Sequence, residues 1–359
     1  MKKQFTKFIL CAAIAMNSIG GLQVLAQETP YLEIYVSENG NDSNSGAKDS
    51  PVRTIEAAQK IVRANNDKMT GDIVVNIMQG TYRLDNMLEF SVEDGGKNGH
   101  NVIYRGDNKP VITGAQKIDG FKQSQKNPSF IEAYVPDVDR VTEFYADGEK
   151  KYVAKGEEWF NPSNYKEEGS PNSSDGITVS KEYVQKYKNL EDVRFIWNRG
   201  WVKTLVQPTE ITESPSDKEK MIVKFKNPRW NTVLEGGSNV SAGANISCYV
   251  ENALELLDTP GEFYFDKNEK KIYYMCEDGE SAETTEFTVP MIDTAMFIMG
   301  KTIDDRVKNI TFDGITFEGF TGCAESENYA SSGQGPTYGG NWNGRTDEND
   351  FGVIYVNRA

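Results

Sequence analysis

Histidine is nearly absent from this chain of 359 residues, with His100 the only one. It sits in Asn98-Gly-His-Asn101, a polar context that reads as a surface turn. A Ser-His-Asp triad, a Cys-His pair and a His-based zinc site therefore have almost nothing to draw on. Cysteine is scarce as well. Cys11, Cys248, Cys276 and Cys323 are widely spaced, with no Cys-x-x-Cys. After Cys11, three thiols allow at most one disulfide, and Cys248 with Cys276 is one possible pair. Basic clusters are missing too. With 39 Lys and Arg against 54 Asp and Glu, the formal net charge is −15, and no nucleic-acid partner is expected. Beyond the first 26 residues no stretch is apolar enough to cross a bilayer, so no membrane span is expected. Hydrolytic chemistry in such a chain has to run on carboxylates, tyrosine or an oxygen-liganded metal.

What is present begins with a leader. Lys2, Lys3 and Lys7 form a basic start, Phe8 to Ile19 is mostly apolar, and Val24-Leu25-Ala26 makes a small-residue exit. This is the pattern of a signal peptide over 1–26, cleaved after Ala26, and it places the protein in the periplasm, at the cell surface or outside the cell. The apolar run is shorter than the roughly 20 residues a span needs. Loss of the three lysines takes the net charge from −15 to −18.

The mature chain opens with a strand at Tyr35-Val-Ser37 and a turn-rich loop, Glu38-Asn-Gly-Asn-Asp-Ser-Asn-Ser-Gly46. Asp42-x-Asn44-x-Gly46 has the look of half a calcium loop, but the later glutamate ligand is missing, and Asx turns explain the same residues. A helix is predicted near 55–65, capped by Thr54, with Ile55, Ala58, Ile61 and Val62 on one face. Short strands follow at Ile73–Ile77, Met87–Phe90, Val102–Tyr104 and Val111–Thr113, punctuated by glycines. Residues 310–319 read Ile-Thr-Phe-Asp-Gly, Ile-Thr-Phe-Glu-Gly. Short strands joined by acid-Gly bends are how a solenoid coil is built, although a hairpin gives the same local pattern.

The middle of the chain differs. Residues 141–295 are more charged and include Trp159, Trp197, Trp201 and Trp230, read as core rather than sugar platforms. Glu262–Asp266 and Lys271–Met275 flank a polar loop as a β-hairpin, and Glu251–Leu257 is a short helical turn. The expected division is a first part of a solenoid with its capping helix (27–140), an inserted mainly-β domain (141–295) and a continuation of the solenoid (296–359).

These ordered landmarks resemble a known group. Gly40-Asn-Asp-Ser-Asn-Ser-Gly46, Ser50-Pro51 with its helix, Gly80-Thr-Tyr82 and Tyr104-Arg-Gly-Asp-Asn-Lys-Pro-Val-Ile-Thr-Gly114 look like the start of bacterial right-handed β-helix carbohydrate enzymes. Glu251–Asp258, Pro260–Asp266 and Asn309–Glu318 fit the same pattern. Together they are most similar to glycoside hydrolase family 141, which includes α-L-fucosidase and xylanase activities. The resemblance covers essentially the whole mature chain. It implies a mainly-β fold: a right-handed parallel β-helix with an N-terminal capping helix and an inserted β-sandwich-like domain. A polysaccharide or oligosaccharide substrate is implied with it. It also implies further coils that carry the catalytic carboxylates. Val353–Val356 is a fresh apolar strand with nothing after it to cover it, so a fragment of a longer solenoid is expected. A polysaccharide lyase and a non-catalytic glycan-binding module are the rival readings. No nucleotide or redox cofactor is implied, and a structural calcium stays open.

Glycoside hydrolysis needs two carboxyl groups, one protonated as the acid and one ionised. Asp313, Glu318, Glu325, Glu327, Asp347, Glu348 and Asp350 are the acids available in the last segment. Asp313 and Glu318 each precede a glycine, which favours a turn role, and the last three form a solvated charge cluster. The loop 322–350 is long and rich in Gly and Ser, and it carries Tyr329, Tyr338, Trp342 and Arg345. Long loops on rigid scaffolds commonly bind ligands. Those four residues are the candidate substrate-binding set, with aromatic faces for sugar rings and a guanidinium for a carboxylate.

Overall fold

The structure is a computed structural model. It describes residues 29–321 apart from 161, 173, 200, 201, 228 and 236–245, the strands Tyr329–Ser332 and Gly335–Tyr338, and residues 353–359. The expected signal peptide, Trp201 and Cys323 lie outside the described residues.

Thr54 starts the helix Ile55–Asn65, its hydroxyl accepting from the Ala57 N–H at 3.1 Å. Asp42 holds that cap in turn. Its carboxylate accepts from the backbone N–H groups of Arg53 and Thr54, each at 2.8 Å, and from the Thr54 hydroxyl at 2.9 Å. Asn41 takes an Asx turn by accepting from the Ser43 N–H. Ile55, Ala58 and Val62 face the core, as the helical period requires. The far end is fastened to the loop after Phe90. Buried Asp94 accepts from Arg63 Nε and Nη2 at 2.7 and 2.9 Å and from the Ser91 N–H at 2.8 Å.

Three parallel sheets form a β-solenoid-like core. The first holds Leu32–Val36, Ile73–Ile77, Val102–Gly106 and Ile310–Asp313. A second holds Thr81–Arg83, Val111–Thr113 and Thr316–Glu318. The third holds Leu88–Phe90, Met296–Met299 and Ile354–Asn357. The chain visits them in that order, coil after coil. Parallel pairing demands such crossovers, because a tight turn cannot reverse into a parallel neighbour. The repeat at 310–319 is therefore a solenoid corner and not a hairpin. Its two strands lie in different sheets, and Gly314 and Gly319 turn the chain with φ of 70° and 67°.

Apolar residues of all three sheets and the helix meet in one core. Phe312 stacks on Tyr104 with centroids 5.2 Å apart and meets Phe90 edge-on at 5.1 Å. A coil formed late in the chain thus packs on one formed early.

Two excursions leave this core. One runs from Gly114 to Ala295, the other from Gly319 to Val353, and both fall between the second sheet and the third. The first builds three largely antiparallel sheets. An eight-stranded sheet runs from edge strand Ala115–Lys117 to edge strand Lys122–Gln123 and buries one apolar cluster on each face. Its Glu262–Asp266 and Lys271–Tyr274 strands pair antiparallel, as the expected hairpin. A six-stranded and a four-stranded sheet share the second of those cores, Phe195, Trp197 and Cys248 facing Ile177, Val223 and Phe225. Trp159, Trp197 and Trp230 are buried there, with Trp230 stacked on Phe225 at 4.5 Å. Cys248 lies in this core and Cys276 packs against the cluster on the other face, so both are free thiols and the possible Cys248–Cys276 pair is not formed.

Candidate functional site

The two excursions converge at Gly114. A Cβ there would come within 2.6 Å of Phe320 Cδ1 and 2.7 Å of Ile292 Cγ1. Close approach, not a turn, is what requires glycine at this position. Asp293, next to Ile292, accepts from the Thr321 hydroxyl with one oxygen and from Arg140 Nη2 at 3.2 Å with the other. The outgoing and returning segments are thereby pinned at one solenoid corner.

Glu318 is exposed at the end of Thr316–Glu318. On the first excursion, Glu143 accepts from the Tyr145 hydroxyl at 2.6 Å and from Lys150 Nζ at 2.5 Å. The Tyr145 phenol is held well above its ordinary pKa, by burial first, then by Glu143, with the Glu318 charge adding to it. Its one proton is thus committed to Glu143. The Glu318 charge thus reaches from the solenoid to a phenol of the first excursion. Asp313 is placed elsewhere. It ends its strand opposite Arg105, at the corner between the first and second sheets. The structure therefore does not bring Asp313 and Glu318 to one corner.

Among the described residues two acids are displaced upward in pKa, and both are buried. Glu262 is pushed up to about 6, chiefly by burial, with Asp258 adding and backbone N–H groups of Lys155, Asp258 and Thr259 opposing. Asp192 is raised by burial, and the charges of Asp266 and Glu191 add to that; the Tyr264 hydroxyl, 2.8 Å away, opposes. Tyr264 itself lies in the core that the three sheets share, and Asp192 and Glu262 are both buried.

The sequence candidates fare unequally. Tyr329 and Tyr338 are register partners in an antiparallel hairpin, Tyr329–Ser332 with Gly335–Tyr338. Ala330 pairs with Thr204, so the hairpin supplies two strands of the six-stranded sheet and the first excursion the other four. Trp342 and Arg345 lie outside the described residues, as do Glu325, Glu327, Asp347, Glu348 and Asp350. Sequence reasoning missed Glu143, Tyr145, Arg140 and Asp293. The one local signal was the i, i+2 spacing of Glu143 and Tyr145, which puts them on one side of an extended segment. Among the described residues no cluster of three metal-ligating side chains occurs, and no helix is long and apolar enough to cross a membrane.

Comparison with known proteins bears on this arrangement. The profile of the GH141 insertion domain matches residues 176–277. A solved structure titled "Glycoside hydrolase" superposes with a TM-score of 0.69 at 25% identity, over 82% of this chain and 52% of that one. The chain thus spans about half the length of that structure. A second, titled "The complex structure of XylC with xylose", matches at 13% identity over 80% of this chain and 35% of that one, with a TM-score of 0.32. No curated protein sequence matches. The fold is parallel-β, of the right-handed helical type, and related to glycoside hydrolases.

Proposed function

We propose that this is a secreted glycoside hydrolase of the right-handed parallel β-helix type, with a signal peptide over 1–26 and an inserted β-sandwich-like domain. Its substrate is a polysaccharide, with fucosylated glycans and xylan the first to test. The observation that carries the reading is the similarity to a glycoside hydrolase over 82% of the chain. The match of 176–277 to a glycoside hydrolase insertion domain supports it. The chemistry is two-carboxylate acid and base catalysis. Exposed Glu318 at the shared corner is the described acid best placed to meet substrate, and Tyr329, Tyr338, Trp342 and Arg345 are the proposed sugar contacts. Incubation with xylan and fucosylated xyloglucan should release reducing ends without unsaturated product. An ultraviolet-absorbing product abolished by chelator would instead make the protein a lyase. Glycan binding with no product over long incubation would make it a binding module.

A further inference from the structure

Phe160 stands out on the first excursion. It lies on the two-residue edge strand Trp159–Phe160 of the six-stranded sheet. Strand residues alternate between faces. Trp159, 5% exposed, points into the core with its partner Cys248, whereas Phe160 is 63% exposed and pairs with Ser247. Ser247 in turn is the register partner of Asn198. The outward row therefore reads Phe160, Ser247, Asn198 and, at the register position one strand on, Lys203. Glu158 reaches over this row. Its Oε1 accepts from the Ser247 hydroxyl and from Asn198 Nδ2 at 3.3 Å. Its Oε2 has no partner among the described residues.

We propose that this row is a sugar-binding subsite for a neutral glycan, with Phe160 as the stacking platform and Glu158 as the hydroxyl acceptor. The inference rests on the reading that the protein acts on a polysaccharide. A pyranose presents an apolar face of C–H groups and a rim of hydroxyls. An exposed aromatic ring matches the first, with its large apolar area and electron-rich face. A carboxylate held in place by a hydroxyl and an amide matches the second, because an ionised oxygen makes the stronger, charge-assisted hydrogen bonds. Asn198 Nδ2 and the Ser247 hydroxyl both donate to Oε1, and Asn198 Nδ2 also donates to Ser247 Oγ at 3.4 Å, which leaves Oε2 for a sugar hydroxyl. The negative charge disfavours an acidic sugar at the same place. The hairpin that carries Tyr329 and Tyr338 extends this same sheet from its other side, so the row belongs to the sheet that the second excursion joins.

The test is titration calorimetry of the full chain with soluble xylan, fucosylated xyloglucan and polygalacturonate, with product release and sedimentation followed in parallel. Phe160→Ala should weaken binding of a neutral glycan about ten-fold, and Glu158→Gln about three-fold. Melting temperature should hold in both. Tyr134→Ala is the control, since that tyrosine is equally exposed (62%) on the eight-stranded sheet. It should bind like the parent protein. The proposal is overturned if the parent binds neither neutral glycan, if polygalacturonate binds tightest, or if Phe160→Ala changes self-association and not glycan affinity. Phe160-dependent binding in a protein that releases no product sustains the subsite and overturns the hydrolase. Product release with Phe160-independent binding does the reverse.

Discussion

Replacing Phe312 by alanine tests whether residues 310–319 close a solenoid coil. The ring sits between Phe90 and Tyr104, in edge-on and stacked contacts. Removing a fully buried phenylalanine costs about 3–5 kcal/mol, and Phe312 is half-buried, so the packing loss is about 2 kcal/mol. Two aromatic contacts add about 0.5–1.5 kcal/mol each. The sum is about 3–5 kcal/mol. Phe312→Leu keeps most of the volume and loses the ring geometry, for about 1 kcal/mol. Urea unfolding measures both. Hydrogen exchange adds the decisive readout, because the parallel partner Val102–Gly106 lies some two hundred residues upstream. Its amides should lose protection in Phe312→Ala. If the segment were a local hairpin, the early strands would not respond. A loss below about 0.5 kcal/mol, or unchanged protection of Val102–Gly106, refutes the coil.

Other consequences can be checked on the same material. Asp94→Asn keeps the shape but loses the charge that Arg63 grips, and should cost about 2 kcal/mol in urea unfolding. Thr54→Ala removes the helix cap and the hydroxyl that Asp42 holds, for about 1 kcal/mol, seen as faster exchange in Ile55–Asn65. Gly114→Ala forces Phe320 and Ile292 aside and should lower the melting temperature, and Phe320→Ala in the same chain should restore part of it. Glu262 gives a pH signature. Its folded pKa of about 6 exceeds the ordinary 4.5, so the folded state holds a proton more tightly. The stability it adds, about 2 kcal/mol, is complete below pH 4.5 and is lost as pH rises through about 6. Glu262→Gln should flatten the urea midpoint across that window. Parallel profiles for parent and variant would show that Glu262 does not titrate there.

What was legible in the sequence is what local spacing controls. Ile55, Ala58 and Val62 repeat at the helical period, and the helix spans Ile55–Asn65. Ile73–Ile77 and Val111–Thr113 are strands where short β-branched runs stop at turn residues. The paired acid-Gly bends at 313–314 and 318–319 foretold two corners, because glycine takes the left-handed φ each needs. Pairing across long separations was not legible. Nothing near Thr204 shows that it will meet Ala330, and nothing near Tyr145 shows that it will meet the field of Glu318. Cys248 and Cys276 are close in sequence, yet a sheet comes between them, since strand alternation sends neighbouring segments into different cores.

The corner follows from one constraint on solenoids. Each coil must keep its three strands in register with the coil below, so extra chain is tolerated only where the backbone is already turning. The turn after Val111–Thr113 gives rise to the first excursion, and the equivalent turn one coil later, after Thr316–Glu318, to the second. Stacked turns lie one strand spacing apart, about 4.8 Å, so the second excursion emerges against the base of the first. That proximity explains why its hairpin, beginning at Tyr329, finds the edge strand Val202–Val206 and prolongs the sheet. It also explains why the Glu318 charge is felt by Tyr145, which belongs to the excursion and not to the solenoid. A ligand bound at this corner would touch a rigid coil on one side and the inserted sheets on the other. Its contacts would change whenever either excursion changed length, while the coils beneath kept their register.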